Sequence, residues 1–279
     1  MPIIQSLRKL EEFKKTRGKH RPWGLVPTMG ALHHGHLSLI EKADQENALT
    51  WVSIFVNPTQ FNDPKDLQKY PQTLASDLKA IQEIAPETCV FVPSVDMMYP
   101  EGLKLKSFDM MGLDQPMEGQ YRPNHFDGVA TAVQRLFELV KPDRAYFGEK
   151  DYQQLKIVEL IGDKMQVDIC PCPIVREVNG LAMSSRNQRL TPDQKGQAAI
   201  LFDILNQVKT AFGKASIEEL HNIVEQALAP LPDISLEYFE IADSHSLKKI
   251  EDYSVSVQSR AFISVWVDGV RLIDNMLLI

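Results

Sequence analysis

The run Trp51-Val-Ser-Ile-Phe-Val56 constrains the fold more than any other stretch of the chain. It is apolar almost without interruption, as a strand covered on both faces is. Trp23-Gly-Leu-Val-Pro27, Cys89-Val-Phe-Val92 and Arg144-Ala-Tyr-Phe147 also read as strands. Helical patterns lie between them. A short helix capped by Ser6 carries Leu7, Leu10 and Phe13, and a second starts near His36 with Leu37, Leu39 and Ile40 on or near its buried side. Further helices are expected over Leu74 to Ile84, over Phe126 to Val140, and from after Asp151 to about Asp163. Residues 57–73 read as a long polar loop, and Val167 to Val175 as a strand broken by two prolines. Strands alternating with helices predict an α/β fold: a doubly wound, mainly parallel, Rossmann-like sheet.

Beyond Val175 the pattern changes. Thr191-Pro-Asp-Gln194 puts a hydroxyl at the N-cap, proline at N1 and an amide at N3, a strong helix start. Two helical patterns follow, then strands over Leu236 to Ile241 and Ala261 to Val267, with Val267-Asp-Gly-Val270 as a tight hairpin turn. The expected division is a first domain over 1–175 and a smaller C-terminal α+β domain over 176–279, joined through Arg176 to Arg189.

The 279 residues carry a formal net charge of −7. An acidic chain is a poor nucleic-acid binder, because phosphate neutralisation needs clustered Lys and Arg. A small anion held by a few local cations remains compatible with that balance. Three cysteines, Cys89, Cys170 and Cys172, cannot all pair, and Ile-Cys-Pro-Cys-Pro matches neither a zinc knuckle nor a redox motif. They read as buried thiols in a reducing cytoplasm. No apolar run approaches the ~18 residues of a membrane span, and the N-terminus lacks a signal peptide's apolar core.

In doubly wound sheets, ligands sit outside the carboxyl ends of the strands. Three polar segments follow expected strands and would converge on that edge: Thr28 to His36, Asn57 to Gln60, and Gly148 to Asp151. In the first, Gly30 and Gly35 let backbone approach a ligand, and a helix N-terminus favours an anion. His33 and His36, three apart, would share a face and donate hydrogen bonds without a permanent charge. A chance cluster or a metal site are the competing readings, and the metal reading lacks a third ligand nearby. His34 receives no role. Neither Gly-x-Gly-x-x-Gly nor a P-loop is present. Asn57 and Gln60 are either loop formers or amides that orient a polar substrate. Lys150 stands where a helix start prefers an acid, which points to an anion. Met183-Ser-Ser-Arg-Asn187 is either a polar linker or a mobile lid that closes Arg186 and two hydroxyls onto a polyphosphate.

Four segments in this order, Pro27-Thr-Met-Gly-Ala-Leu-His-x-Gly-His36, Phe55-Val-Asn-Pro-Thr-Gln-Phe61, Phe147-Gly-Glu-Lys-Asp151 and Met183-Ser-Ser-Arg-Asn187, resemble those of the pantoate–β-alanine ligases. The wider kinship is with the His-x-Gly-His nucleotidyltransferases. The resemblance implies that ATP, pantoate and β-alanine, with Mg²⁺, give pantothenate, AMP and pyrophosphate through a pantoyl adenylate. It implies roles for His33 and His36 at the triphosphate, with His36 the main catalytic group, for Lys150 at the α-phosphate, and for Ser184, Ser185 and Arg186 at the β- and γ-phosphates. Met29, Gly30, Gly148, Asp151, Val178 and Met183 would line the nucleotide site. Gln60, Gln154 and Asn57 would hold substrate. Asp77 and Asp151 are candidate metal neighbours, with the metal ligands otherwise open. The resemblance further implies a cytoplasmic homodimer acting on small molecules, with no nucleic-acid or membrane partner. The alternatives are a nucleotidyltransferase whose product stays joined to the nucleotide, and a non-catalytic metal module built on the histidines.

Overall fold

The computed structural model describes residues 1–18, 21–253 and 258–279. They form two compact units, 1–149 with 154–173, and 150–153 with 174–279.

The first unit runs β1 (Ile3–Ile4), α1 (Leu7–Arg17), β2 (Trp23–Thr28), α2 (His34–Glu46), β3 (Leu49–Ile54), α3 (Pro64–Lys69) and α4 (Leu74–Ile84). It continues through β4 (Cys89–Phe91), α5 (Val95–Met98), α6 (Glu118–Tyr121), α7 (His125–Val140), β5 (Arg144–Gly148), α8 (Tyr152–Met165) and β6 (Asp168–Cys172). The first two residues of α8 group with the second unit. The strands form one parallel sheet in the order β1-β4-β3-β2-β5-β6. From β2 the chain winds outward through β3 and β4, then returns to lay β5 on the other side of β2. The strand order therefore reverses between β2 and β5, and that switch point is where such sheets open a ligand crevice.

The sheet buries both faces, as the Trp51 run requires. Val26, Val52, Ile54 and Val90 share a core with Ile40 and Ala43 of α2 and Ile81 of α4. On the sheet's aromatic side, Trp51 meets Phe13 of α1 edge-on at 5.3 Å and Trp23 at 5.8 Å between ring centroids. Each such side chain removed from water contributes about 1.5–3 kcal/mol.

Three details depart from the sequence reading. The segment 57–73 is not a bare loop: a one-turn 3₁₀ helix spans Pro58–Gln60, and α3 is capped by Asp63, whose carboxylate accepts Lys65 N–H at 2.8 Å. Asp followed by Pro at N1 is a helix start that the sequence carried. Helix α2 begins at His34 rather than near His36. Cys89 and Cys172 are buried and Cys170 only half-buried, because β6 is an edge strand. All three thiols are free, and burial pushes Cys89 up to about 12 and Cys172 to about 11. The edge position also explains Pro171 within β6, since a missing N–H is tolerated there.

The second unit carries α9 (Pro192–Ala198), α10 (Ile200–Ala211), α11 (Ile217–Leu228) and the antiparallel sheet β7 (Ile234–Asp243), β8 (Ser259–Val267), β9 (Val270–Leu277) in that order. The capping box at α9 forms as its sequence indicates, with Thr191 and Gln194 exchanging side-chain and backbone bonds. Asp268 and Gly269 turn β8 into β9 with φ of +46° and +72°, the geometry of a primed hairpin turn. Alternate β8 residues Ala261, Ile263 and Val265 join Ile204 and Leu205 of α10 and Leu220 and Val224 of α11 in one core. No helix of the described residues is long and apolar enough to cross a membrane.

His221 of α11 packs edge-on against Phe239 at 5.0 Å, and burial lowers its pKa, with Glu240 opposing. The neutral ring is thus favoured in the fold. Its stabilisation is fully present above the unfolded value of ~6.5 and is lost as pH falls through the lower folded value. Urea denaturation at pH 7.5 and pH 5.5 should show a smaller acid loss for His221→Leu than for the parent protein. Equal losses would mean that His221 does not set this dependence.

Candidate active site

Residues 29–33 connect β2 to α2 beside the switch point. Gly30 and Ala31 both take positive φ, +78° and +51°. For alanine that region costs about 1–2 kcal/mol. Asp77 of α4 holds it in place. Its carboxylate accepts Ala31 N–H at 3.0 Å and Leu32 N–H at 2.9 Å, and Thr73 donates to both oxygens at 3.2 Å. Asp77 is buried, and a Cβ on Gly30 would sit 3.0 Å from its Oδ2. Asp77, named in the sequence reading as a candidate metal neighbour, is thus engaged in clamping this turn.

The clamp sets up the histidines. His33 is the N-cap of α2 in extended conformation, not a member of its helical face. Gly35 N–H donates to His33 Nδ1 at 3.2 Å, and His33 N–H donates to His36 Nδ1 at 3.4 Å. The two rings lie 4.0 Å apart. A backbone N–H can only donate, so both Nδ1 atoms accept, and each neutral ring carries its proton on Nε2. The first turn of α2 contains no acid, and its N-terminal dipole favours an anion. His34 is exposed.

A buried amide relay follows β3. The Gly128 carbonyl can only accept, so Asn57 must turn Nδ2 toward it, at 3.1 Å. The same Nδ2 donates to Gln60 Oε1 at 3.1 Å. Gln60 Nε2 is thereby directed to the other side, 2.8 Å from Met29 Sδ. Tyr99 donates to Asn57 Oδ1 at 2.5 Å, and burial raises its pKa, keeping that proton in place. Thr59 Oγ1 also donates to Asn57 Oδ1, at 3.0 Å. The Gln60 carbonyl is held by Arg122 at 3.3 Å and His125 at 2.8 Å. A Cβ on Gly128 would lie 2.4 Å from Thr59 O, so glycine lets α7 rest on this turn. Asn57 and Gln60 are thus parts of an oriented network rather than generic loop formers. Tyr99, Thr59, Arg122, His125 and Gly128 escaped the sequence reading. The polar segment Arg122-Pro-Asn-His125 ahead of α7 was the available signal.

Gly148 ends β5, with open space where a Cβ would stand, and Gln154 is half-buried in the first turn of α8. In the second unit, Lys150 Nζ lies 3.7 Å from the exposed Asp151 carboxylate. Met183 leads into a 3₁₀ helix over Ser185–Arg189, capped by Ser184, which accepts Arg186 N–H at 3.3 Å. Ser185 and Asn187 are buried. Asn187 Nδ2 donates to Glu177 at 3.0 Å and to Ala182 O at 3.1 Å, so this stretch is a structured turn rather than a plain linker. Val178 is fully exposed in the preceding bend. Among the described residues no group of three or more His, Cys, Asp or Glu could hold a metal.

The fold and this turn define a parallel-sheet α/β protein with hydrogen-bond donors and a helix N-terminus collected at its switch point. The model of the family described as pantoate-beta-alanine ligase matches residues 2–277. A pantothenate synthetase of Christiangramia forsetii is 44% identical over 271 residues, 96% of each chain. The solved pantothenate synthetase of Thermus thermophilus superimposes with a TM-score of 0.90 at 37% identity, covering 100% of this chain and 99% of that one. The pantoate-beta-alanine ligase of Francisella tularensis, solved in complex with beta-gamma ATP and beta-alanine, gives 0.83 at 34% identity, covering 100% and 98%. The chain belongs to the pantoate–β-alanine ligase family and is an enzyme of that family.

Asp77→Ala removes the acceptor of the buried Ala31 N–H and the part-buried Leu32 N–H and should cost about 2–4 kcal/mol in urea denaturation. A variant as stable as the parent would remove Asp77 from this role.

Proposed function

We propose that the protein condenses pantoate with β-alanine at the expense of ATP, in two displacements. A pantoate carboxylate oxygen attacks the α-phosphorus, the bond from that phosphorus to the bridging oxygen breaks, and pyrophosphate leaves. The amine of β-alanine then attacks the acyl carbon and loses a proton, and AMP leaves as pantothenate forms. The first step makes an acyl donor from a carboxylate, whose own oxygen is no leaving group. It concentrates negative charge on phosphoryl oxygens, so positioning and electrostatic stabilisation do most of the catalysis.

The observation that carries this reading is the clamped turn between β2 and α2, where two rings hold their protons on Nε2 at a helix N-terminus. His33 and His36 donate to the triphosphate, with His36 foremost, and Met29 and Gly30 give backbone contacts. Gly148 offers open backbone to the nucleotide. Lys150 stabilises charge at the α-phosphate, and Ser184, Ser185 and Arg186 bind the β- and γ-phosphates. Asp151, Val178 and Met183 complete the nucleotide contacts, Val178 toward adenine. Gln60 presents an NH₂ donor to pantoate, oriented through Asn57, and Gln154 holds pantoate as well. In this reading residues 1–175 are the nucleotide- and pantoate-binding part, and residues 176–279 are a lid that adds the contacts from Val178 and Met183 to Arg186. Mg²⁺ arrives with ATP. It would be held by phosphate oxygens, water and one or two carboxylates, and Asp151, whose carboxylate lies 3.7 Å from Lys150 Nζ, is the candidate carboxylate. On the family resemblance we assign a homodimer in the cytoplasm.

Pyrophosphate exchange into ATP tests the reading: it should require pantoate. Exchange without pantoate, or none from well-folded protein, would overturn it. Lys150→Ala should slow exchange by about 10²-fold or more, as loss of one charge-stabilising donor does, with stability little changed. Gln154→Ala should chiefly raise the KM for pantoate. His36→Gln, whose amide nitrogen reaches toward the Nε2 position, should retain more exchange than His36→Asn. The reverse ranking would contradict donation from Nε2.

A further inference from the structure

The last strand carries no motif that the sequence reading singled out, yet it holds two of the elements assigned above to the triphosphate. Consecutive strand residues point to opposite faces of a sheet. In β9 those residues are Asp274 and Asn275, both buried, paired in register with Ile263 and Phe262 of β8. Asp274 binds the Arg176 guanidinium through two bonds, at 2.5 and 2.9 Å. Arg176 also donates to Gly180 O at 3.0 Å and lies over the Phe202 ring at 4.4 Å. It bridges to Ala182 across the bend that leads into Ser184–Arg186. Asp274 therefore anchors the base of the serine–arginine turn.

Asn275 Nδ2 donates to the backbone carbonyl of Lys150 at 2.8 Å. Its orientation is fixed from both ends, because that carbonyl can only accept, and Arg260 Nη1 can only donate to Asn275 Oδ1, at 2.5 Å. Arg260 in turn lies 3.8 Å over the ring of Tyr152, whose ring is 6.0 Å from that of Phe262. The segment bearing Lys150 is thus seated on the Phe262 side of the sheet, which accounts for residues 150–153 grouping with the second unit although β5 and most of α8 belong to the first.

We propose that Asn275 is a positioning residue for Lys150, and that the pair Asp274–Asn275 makes Lys150 and the Ser184–Arg186 turn parts of one rigid body. The segments that carry the ammonium, the two hydroxyls and the guanidinium then keep one placement relative to each other. This rests on the role given to Lys150 under Proposed function. A buried asparagine that merely satisfies a carbonyl would hold the fold without touching the chemistry, so the test has to separate these roles.

Asn275→Asp separates them in the full-length protein. It keeps the side-chain shape and the acceptor for Arg260, and it replaces the donor facing Lys150 O with an oxygen. The melting temperature should stay within a few degrees of the parent. Pantoate-dependent pyrophosphate exchange at saturating substrates should fall about tenfold or more, since small misplacements of a catalytic group cost this much, while the KM for pantoate changes little. In a Lys150→Ala background the same substitution should cause no further loss, because a residue acting through Lys150 has nothing left to position. Parental exchange in Asn275→Asp, or an equal fold-loss in both backgrounds, would overturn the proposal and leave the role of Lys150 standing. A Lys150→Ala protein with undiminished exchange would sink that role and this proposal with it. Should Asn275→Asp melt far below the parent, Asn275→Ser, which keeps a donor on a shorter arm, enters the same cycle: less exchange lost than in Asn275→Asp supports the proposal, and an equal loss overturns it.

Discussion

The carboxylate of Asp77, accepting two consecutive backbone N–H groups, is the interaction on which the rest of the site depends. It holds Ala31 in the left-handed region and, with the Gly30 N–H bond to Thr28 Oγ1, keeps the chain between β2 and α2 in a tight turn. Hydrogen bonds to an ionised acceptor are roughly twice as strong as neutral ones, enough to offset the backbone strain of one alanine. The turn then delivers His33 to the N-cap position, and the cap exchanges bonds between His33, Gly35 and His36. A conformational constraint on the backbone thus becomes a constraint on where two imidazole protons reside.

The same logic recurs elsewhere in the molecule. A backbone group has a fixed role as donor or acceptor, and it orients an adaptable side chain that faces it. Gly128 O orients Asn57, which orients Gln60. Lys150 O orients Asn275, and Ala182 O orients Asn187. These side chains are buried or nearly so, where an unmade bond is costly. Each therefore adopts one arrangement, and the donors that the proposed function assigns to substrate are set before it binds. Donors of this kind stabilise charge that develops on phosphoryl oxygens without reorganising during the reaction.

Much of this was legible in the chain. The uninterrupted apolar run at Trp51 implied a doubly covered parallel sheet, and strands followed by polar segments implied a common edge. Thr191-Pro-Asp-Gln194 gave its helix start outright, and Leu74 to Ile84 formed the helix its periodicity suggested. What was not legible spans large sequence distances. Asp77 lies 46 residues from Ala31 and Asn275 lies 125 from Lys150. Neither pairing has a local signature, since an aspartate in a helix's first turn and an asparagine in a strand each have ordinary local explanations. The helix at Pro64 is a different case: its Asp-Pro start was present, but a run of polar residues obscured it. His33 was misplaced by one step, because counting three residues to His36 assumes that both already belong to the helix, and a cap stands just outside it.

Nitrogen NMR of the protein labelled in its histidine rings tests the central claim most directly. Both His33 and His36 should show an unprotonated Nδ1 and a protonated Nε2 at neutral pH, with the Nε2 signals moving when ATP is added. A protonated Nδ1 on either ring in its neutral form, or Nε2 signals indifferent to saturating ATP, would contradict it.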